Sequence, residues 1–267
     1  MYEFTFEGYN REQCEAYLKR IGAEYDGNPT MENLEMIISA HQKSVPFENL
    51  ALIMKWGKVK MDPDSLFEKI VTERRGGFCH ELNGALLLLL KGLGYDAVGC
   101  MARVGLPFLG TLMNLDHAGV IVRINGRKLY CDVGMSGPKA DGGVEFGETG
   151  SEPLRRENHG QTFWIEDTYE GWKMLRYEGP ENDGAVIIFS PIPVLPIDMA
   201  ANCYYLVERG NTPFHTTRFV NICRDNNGYV SVTDNHIKIS DGEKTVERDF
   251  PEDEFNDILK EYFGIIR

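Results

Sequence analysis

The feature that most limits how this chain can fold is an unbroken apolar run, one alanine followed by five leucines, at residues 85–90. A helix that is apolar on every side offers no face to water, so we expect this one to lie in the middle of a domain. Cys79 lies shortly before the run and follows two glycines. At the start of such a helix, unpaired backbone N–H groups favour a thiolate over a thiol. Cys79 is therefore a candidate nucleophile, with a buried structural cysteine as the alternative.

A nucleophilic cysteine needs a base, and a predicted hairpin downstream contains one. Residues 117–124 and 128–133 have the pattern of strands, and the dipeptide Asn125-Gly126 between them is the strongest short-range signal for a hairpin turn. A two-residue turn makes His117 and Asp132 diagonal neighbours on one face of the hairpin. Such neighbours lie about 7–8 Å apart, which lets a carboxylate reach an imidazole N–H. A one-residue slip in the turn would break this alignment.

These three residues together predict a catalytic triad. A thiolate at Cys79 is the attacking species, an imidazole at His117 can take and return a proton, and a carboxylate at Asp132 fixes the imidazole tautomer. Taken singly, His117 could be a strand histidine satisfied by a backbone carbonyl, and Asp132 could be a turn residue at a strand end. The hairpin geometry favours the catalytic interpretation of all three.

Three motifs carry a family resemblance. Residues 75–84, Arg-Gly-Gly-Phe-Cys-His-Glu-Leu-Asn-Gly, are similar to the active-site signature of the arylamine N-acetyltransferases. Residues 46–50, Pro-Phe-Glu-Asn-Leu, resemble a second motif of that family, and residues 132–134, Asp-Val-Gly, resemble the segment that holds its triad aspartate. The motifs occur in the family's order, so the resemblance is specific.

The resemblance implies an α+β fold of the papain-like cysteine-triad type. It implies an N-terminal helical bundle carrying the nucleophile over residues 1–94, a central β-barrel carrying the histidine and aspartate over 95–190, and a C-terminal α/β lid over 191–267. A proline-rich connector at residues 190–196 agrees with the second boundary. The triad would then lie where the first two domains meet.

The resemblance also implies a reaction. Members of the family take an acetyl group from acetyl-coenzyme A onto the cysteine and pass it to an arylamine, arylhydrazine or N-hydroxyarylamine, a ping-pong transfer that belongs to xenobiotic metabolism. In this chain Cys79 would attack the thioester and His117 would manage the protons. The implied enzyme uses acetyl-coenzyme A as co-substrate and needs no metal or prosthetic group.

Residues of the acceptor pocket follow from the resemblance as well. Phe47, Val104 and Phe214 match positions that line the family's pocket, and Phe78 lies beside the nucleophile. Met135 would form a soft, adaptable part of the wall. The alternative is that these side chains simply fill the core.

Residues for coenzyme A are predicted from a glycine-rich stretch after the triad aspartate. Gly134, Gly137 and Lys139 could present backbone N–H groups and one cation to the pyrophosphate. An ordinary surface loop is the alternative interpretation of the same residues.

Several positions depart from the family pattern. His80 and Leu82 replace the usual phenylalanine and glutamine after the cysteine, and Met135 replaces an aromatic residue. Adjacent residues of a helix do not face each other, so we expect His80 to have a structural or pocket-edge role rather than to act as a second base. Residues 207–213 also differ, in a segment near the expected coenzyme A cleft, which leaves a malonyl or propionyl donor open.

Charge and cysteine content limit the partners and the compartment. A net charge of −13, from 28 basic and 41 acidic residues, disfavours non-specific binding to nucleic acid or to an anionic membrane. The six cysteines are scattered without a C-x-x-C pair, which argues against a zinc site or a disulfide framework. The N-terminus lacks a basic, apolar signal and no apolar run approaches the length of a membrane span, so we expect a cytoplasmic location.

Two other functions remain open. A papain- or transglutaminase-like hydrolase, or an amide-forming synthase acting on a peptide or polyketide, would use the same triad. A non-catalytic binding module could share the fold, but its Cys79 would react no faster than the other cysteines. The physiological acceptor, the preferred acyl group and the oligomeric state are not determined by the sequence.

Local signals predict where the elements lie. Asn10 with Gln13 resembles a capping box, Thr30 could cap the next helix, and Asp62-Pro63 suits a helix start. Strands are predicted in the middle of the chain, with one long loop over residues 139–158. The C-terminal part is predicted to form a helix, three strands and a last helix.

Overall fold

The computed structural model describes residues 6–106, 111–112, 114–137, 139–179, 183–210 and 212–266. Helices dominate the first third, antiparallel strands the second, and helices and further strands the last. In chain order the helices span α1 Arg11–Ile21, α2 Met31–Ser44, α3 Leu50–Ile53, α4 Pro63–Phe67, α5 Cys79–Gly92, α6 Pro196–Arg209, α7 Pro213–Thr216 and α8 Phe255–Phe263. The strands span β1 Phe47–Glu48, β2 Asp96–Leu106, β3 Thr111–Leu112, β4 His117–Ile124, β5 Arg127–Cys131, β6 Val144–Phe146, β7 Arg156–Asn158, β8 Gln161–Asp167, β9 Lys173–Glu178, β10 Asp183–Phe189, β11 Phe219–Cys223, β12 Tyr229–Thr233, β13 His236–Ser240 and β14 Thr245–Asp249.

The N-terminal helices begin where side chains can satisfy the first backbone N–H groups. At α1, Asn10 and Gln13 form a reciprocal capping box, in which the Gln13 N–H donates to Asn10 Oδ1 at 2.9 Å. Thr30 caps α2, and Asp62 caps α4 directly ahead of Pro63. The predicted helix starts are therefore confirmed.

Helix α5 lies at the centre of the molecule. Every residue from 79 to 90 is buried, and the helix packs against α1, α4, α6, β2 and β4. Tyr17 of α1, Leu34 of α2 and Met199 of α6 belong to the same hydrophobic cluster as the leucines of α5. The expectation of a helix surrounded on all sides is confirmed. The hydrophobic cluster around α5 joins the first and last thirds of the chain.

The middle of the chain forms an antiparallel, barrel-like sheet that is nearly closed. Its strand order is β6-β5-β4-β2-β10-β9-β8-β7, and β6 packs against β8 where the sheet curves round. The turn between β4 and β5 has positive φ at Asn125 and Gly126, 51° and 79°. It pairs Ile124 with Arg127, so the predicted two-residue hairpin and its register are confirmed.

The stretch predicted as one long loop, residues 139–158, contains two strands, so that prediction is wrong. Strand β6 pairs with β5 through Tyr130 and Val144, and β7 pairs with β8 through Arg156 and Phe163. Each of these strands has only three residues. Such short strands, set among glycines and charged residues, do not develop the alternation that reveals a strand.

The last third forms a second antiparallel sheet in the order β1-β11-β12-β13-β14, and α8 packs on its buried face. Its first strand comes from the N-terminal region: Phe47 of β1 pairs with Asn221 of β11. The α+β fold with a helical part, a barrel-like sheet and a C-terminal lid is as predicted. The domain limits 1–94, 95–190 and 191–267 stay a prediction, since β1 and α6 both pack across them.

Three general properties hold for the residues that the structure describes. No helix within them is long and apolar enough to cross a membrane. Within the same ranges, no group of three or more His, Cys, Asp or Glu side chains is placed to hold a metal ion. All six cysteines are free thiols, and five of them are buried.

Candidate active site

Cys79 is the first residue of α5, and close backbone packing brings it against the β4–β5 hairpin. A Cβ atom at Gly76 would lie 1.9 Å from the carbonyl oxygen of Pro46. A Cβ atom at Gly134, just beyond β5, would lie 2.6 Å from the Cα atom of Cys79. Both positions therefore require glycine, because any side chain would push the start of α5 away from its neighbours.

The hairpin brings His117 and Asp132 into direct contact. His117 Nε2 donates to Asp132 Oδ2 at 2.6 Å. The carboxylate also accepts hydrogen bonds from Asn83 Nδ2 at 2.9 Å, the Tyr130 hydroxyl at 2.8 Å and the Gly134 N–H at 2.8 Å. This holds the proton on Nε2, which leaves Nδ1 of the imidazole to interact with the cysteine sulfur.

Charge outweighs burial in setting the ionisation of this pair. Burial alone would raise the pKa of Asp132, but the charge of His117 and the hydrogen bonds that the carboxylate accepts bring its pKa below the usual value. Burial alone would lower the pKa of His117, but the charges of Asp132 and Cys79 raise it well above the usual value. His117 is therefore a stable imidazolium when the sulfur is a thiolate.

The Cys79 thiol is unusually acidic for a buried group. Burial raises its pKa, but the charges of His80 and His117 and their hydrogen bonds to the sulfur bring it down to about 7. Cys100 and Cys203 are also buried, and burial raises the pKa of each of these thiols above its usual value. Cys79 differs because two imidazoles reach it, so much of it is thiolate near neutral pH.

His80 contacts the sulfur, contrary to expectation. Its Nδ1 lies 3.3 Å from Cys79 Sγ, and its Nε2 lies 2.7 Å from Asn202 Oδ1 on α6. The expectation treated only the directions in which adjacent helical residues leave the axis. Side chains in a helix lean back toward its N-terminus, and an imidazole on the second residue is long enough to reach the first. The prediction of a structural or pocket-edge role for His80 thus rested on a geometry that did not allow for this contact with the sulfur.

A buried ionic network supports the loop ahead of the nucleophile. Arg75 Nη2 donates to Glu48 Oε1 at 2.6 Å, and Lys69 Nζ donates to Glu81 Oε1 at 2.7 Å. Glu81 also accepts from the Phe78 N–H at 3.3 Å, which satisfies one of the free N–H groups at the start of α5. Burial raises the pKa of Glu81 despite the opposing charge of Lys69. These contacts hold the loop in place without touching the sulfur.

An apolar cavity of about 210 Å³ opens onto the cysteine and His117. Its wall contains four of the five predicted acceptor-site residues, namely Phe47, Val104, Met135 and Phe214. The fifth, Phe78, is buried behind the wall with its ring centroid 6.3 Å from that of Phe214. Leu206, Pro213 and Phe219 extend the apolar surface, and Asp116 and Arg209 add charge.

A larger, more polar cavity of about 360 Å³ lies next to it, between α2, the loop after β5 and the C-terminal sheet. Two of the predicted coenzyme A residues, Gly137 and Lys139, line this cavity, whereas Gly134 lines the smaller one. Ser136 lines both, so the two cavities adjoin. Further positive charge in the larger cavity comes from Lys43, Arg224 and Lys238.

Comparison with known proteins shows the family to which the chain belongs. A family model described as N-acetyltransferase matches residues 30–266. The arylamine N-acetyltransferase of Mycolicibacterium smegmatis is 29% identical over 225 residues, which cover 80% of this chain and 77% of that protein. This chain belongs to the arylamine N-acetyltransferase family. It is therefore an acetyltransferase.

Solved structures of arylamine N-acetyltransferases have the same fold. The enzyme from Salmonella typhimurium superposes with a TM-score of 0.87 at 20% identity, covering 96% of this chain and 92% of that one. The Mycobacterium marinum enzyme, solved in complex with CoA, superposes with a TM-score of 0.83 at 23% identity, covering 94% and 92%. At such identities the likeness concerns the fold.

Sequence reasoning missed several side chains around the acetyltransferase triad. Tyr130 could have been found, because it lies two residues before Asp132 on the strand predicted over residues 128–133 and should therefore share its face. Asn83 donates to Asp132, and its own Oδ1 accepts from the Val133 N–H at 2.9 Å. Asn202 carries no local signal, since it lies 122 residues from the histidine that it contacts.

Proposed function

We propose that this enzyme moves an acetyl group from acetyl-coenzyme A to an arylamine, arylhydrazine or N-hydroxyarylamine through an acyl-Cys79 intermediate, by a ping-pong mechanism. One observation carries the proposal. A thiol whose pKa is lowered to about 7 lies in the wall of an apolar cavity, beside an imidazole that is paired with a buried carboxylate. A thiolate in such a place can attack a thioester, and the cavity suits a flat acceptor.

In the first half-reaction, the Cys79 thiolate attacks the thioester carbonyl carbon and a new C–S bond forms. The tetrahedral intermediate collapses as the bond to the coenzyme A sulfur breaks, and the departing thiolate takes the proton from His117. Free backbone N–H groups at the start of α5 are suited to stabilise the oxyanion. One thioester replaces another, so the main task of the site is to position the groups.

In the second half-reaction, the acceptor nitrogen attacks the carbonyl carbon of acyl-Cys79. Neutral His117 takes a proton from that nitrogen, the bond to the cysteine sulfur breaks, and the thiolate–imidazolium pair is restored. Asp132 keeps the imidazole in the required tautomer and stabilises its charged form in both halves. The burial of Cys79, of which 3% is exposed, limits the access of water that would hydrolyse the intermediate.

The acceptor would bind in the smaller cavity. Phe47 and Phe214 form an aromatic corner there, with ring centroids 6.1 Å apart. An aryl ring placed against them would gain about 0.5–1.5 kcal/mol beyond simple burial. Val104 and Met135 bound the same space, and the flexible thioether of Met135 would adapt to rings of different shape.

Coenzyme A would bind in the larger cavity, with its thioester end reaching the triad past Ser136. Lys139 donates to the Met135 carbonyl at 2.5 Å, so it can hold the loop while its charge faces a phosphate. Lys43 is paired with Asp225 at 2.6 Å, and a diphosphate would compete for that lysine. Together with backbone N–H groups near Gly137, these cations would offset the net negative charge of the protein.

A second candidate concerns the acyl group rather than the reaction. Arg209 lines the smaller cavity, the same cavity that Cys79 lines. A guanidinium there would pair with the free carboxylate of a malonyl group, which acetyl and propionyl groups lack. Malonyl-coenzyme A is therefore the alternative donor that a feature of this chain favours.

We also propose that the enzyme works in the cytoplasm. Its six cysteines are all free thiols, including the nucleophile proposed here. Free thiols persist in reducing compartments, whereas oxidising compartments convert accessible ones to disulfides.

Intact-protein mass spectrometry tests the proposal directly. The wild-type enzyme is incubated with acetyl-, propionyl- and malonyl-coenzyme A, and we expect a mass gain of one acyl group that an added arylamine removes. Cys79→Ala should gain no mass, whereas Cys203→Ala, which alters a buried thiol of α6, should acylate normally. Absence of acylation of the wild-type enzyme by every thioester would contradict acyl transfer. Acylation that water alone discharges, with no amide product, would favour a hydrolase.

A further inference from the structure

Two imidazoles reach the Cys79 sulfur from different elements. His117 reaches it from β4 and is held by a carboxylate. His80 reaches it from α5 and is held by the amide of Asn202 on α6. The side chain of His80 is fully buried, so the contact lies inside the protein rather than at its surface.

The hydrogen bonds of Asn202 determine which nitrogen of His80 carries a proton. Asn202 Nδ2 donates to the Leu115 carbonyl at 2.6 Å, which turns Oδ1 toward His80. An amide oxygen can only accept, so His80 Nε2 is the donor of that 2.7 Å hydrogen bond. Nδ1 then faces the sulfur, 3.3 Å away, where it can accept the thiol proton or, once protonated, donate to the thiolate.

We propose that His80 is a second proton acceptor for the Cys79 thiol, held in position by Asn202. When it acts, the S–H bond breaks, its electron pair stays on sulfur, and the proton forms an N–H bond at Nδ1 of His80. The reverse transfer restores the thiol. The inference rests on the proposed role of Cys79 as nucleophile. It gives the sulfur a partner that remains available while His117 exchanges its proton with the leaving group or the acceptor.

Charged and titratable groups face His80 from several elements. The Asp116 carboxylate, on the loop before β4, interacts with the imidazole. The sulfur of Cys79 interacts with both His80 on α5 and His117 on β4. From α6, Asn202 supplies a neutral acceptor. The ring of Phe78 meets the imidazole edge-on, with centroids 6.0 Å apart.

The alkylation of Cys79 by iodoacetamide, followed by peptide mass spectrometry across pH, measures this role without any acyl donor. His80→Phe keeps an aromatic ring of similar size and should raise the midpoint of the pH profile by about one unit, which slows labelling roughly tenfold at mildly acidic pH. Asn202→Ala leaves the imidazole present but unheld and should shift the midpoint in the same direction by less. Cys203→Ala, on the neighbouring residue of α6, should leave the profile unchanged.

A second comparison separates His80 from His117. In His117→Asn, the remaining imidazole should sustain labelling of Cys79, and adding His80→Phe should slow it about tenfold further at mildly acidic pH. Thermal unfolding of each variant shows whether it is folded. If His80→Phe does not fold, the alkylation profile of Asn202→Ala tests the role of His80 instead. Profiles of His80→Phe or Asn202→Ala that coincide with the wild type overturn the inference. Shifted profiles in an enzyme that no thioester acylates would uphold the role of His80 and reject acyl transfer.

Discussion

At the scale of single residues, Asp132 determines how the site is charged. Its carboxylate accepts hydrogen bonds from two side chains and one backbone N–H besides His117. These donors use the lone pairs that do not face the imidazole, so the carboxylate stays ionised and fixed although it is buried. The charge of Asp132 raises the pKa of His117, and charged His117 lowers that of Cys79. One carboxylate therefore acts on the sulfur through an intermediate group.

Replacing the Asp132 carboxylate by an amide tests whether Asp132 acts on the Cys79 sulfur through His117. In Asp132→Asn the pKa of His117 should fall, so less imidazolium would be present to stabilise the thiolate. We therefore expect the midpoint of Cys79 alkylation to rise above its wild-type value of about 7, and acetyl transfer to fall by about four orders of magnitude. Asp64→Asn, an exposed site on α4, should change neither. An unaltered alkylation profile in Asp132→Asn would disprove the linkage.

The residues of the triad could be named from the sequence because each lies near a strong local signal. Cys79 begins an apolar helix, and His117 and Asp132 flank a turn whose two residues fix the register. His80 and Asn202 could not be paired in this way, because their contact depends on how α5 and α6 pack. Local patterns report on neighbours along the chain, and tertiary contacts between side chains leave no such trace.

At the scale of elements, α5 acts as both core and platform. Its leucines are buried against helices on one side and the barrel-like sheet on the other, while its first residue holds the sulfur. Movement of the helix would move Cys79 relative to His117, which belongs to the sheet. The stability of the core and the geometry of the site are therefore linked through this one helix.

Truncating a buried leucine of α5 leaves a cavity in the core and should accordingly lower the free energy of unfolding. Leu87 is 1% exposed and belongs to the central cluster, so Leu87→Ala should lower the free energy of unfolding by about 2–5 kcal/mol. Ile197→Ala removes a side chain that is 70% exposed on α6 and should change it by less than about 0.5 kcal/mol. Urea denaturation followed by tryptophan fluorescence measures both. Equal losses for the two variants would argue against α5 as the centre of the core.

Elements with strong periodicity were predictable, and short or weakly patterned ones were not. The capped helices and the hairpin follow local rules that the structure confirms. Strands β6 and β7 are too short to show a pattern, and β14 is exposed along its whole length, so it lacks the buried face that produces alternation. Pairing to neighbouring strands defines these elements, and the local sequence does not encode that pairing.

At the scale of the whole molecule, ionic contacts join segments that are distant in the chain. Glu48 of β1 is fully buried and pairs with Arg75 from the loop before α5. Its second oxygen accepts from the Leu50 N–H at 2.7 Å. Because β1 is also a strand of the C-terminal sheet, this pair links that sheet to the loop that directly precedes the nucleophile.

Removing one partner of the Glu48–Arg75 pair should lower the free energy of unfolding more than replacing both partners. Arg75→Met removes the guanidinium from the buried Glu48 carboxylate and leaves Lys69, at 4.0 Å, as a weaker partner, so it should lower the free energy of unfolding by about 3–5 kcal/mol. The double variant Arg75→Met/Glu48→Gln should recover part of that loss, because the poorly compensated charge is gone. Arg11→Met breaks an exposed pair with Glu15 and should cost at most about 1 kcal/mol. A double variant no more stable than Arg75→Met would contradict a penalty from the poorly compensated Glu48 charge.

Strand β1 has a consequence for how the protein could tune its selectivity. Phe47 belongs both to strand β1 of the C-terminal sheet, where it pairs with Asn221 of β11, and to the wall of the small cavity. A change of sequence in β11 would move Phe47 and reshape the space offered to an aromatic ring. Because the neighbouring residue Glu48 is hydrogen-bonded through its backbone N–H to Gly77, two residues before Cys79, the same change would also disturb the sulfur. Substrate range and chemical competence are therefore coupled in this architecture and would have to evolve together.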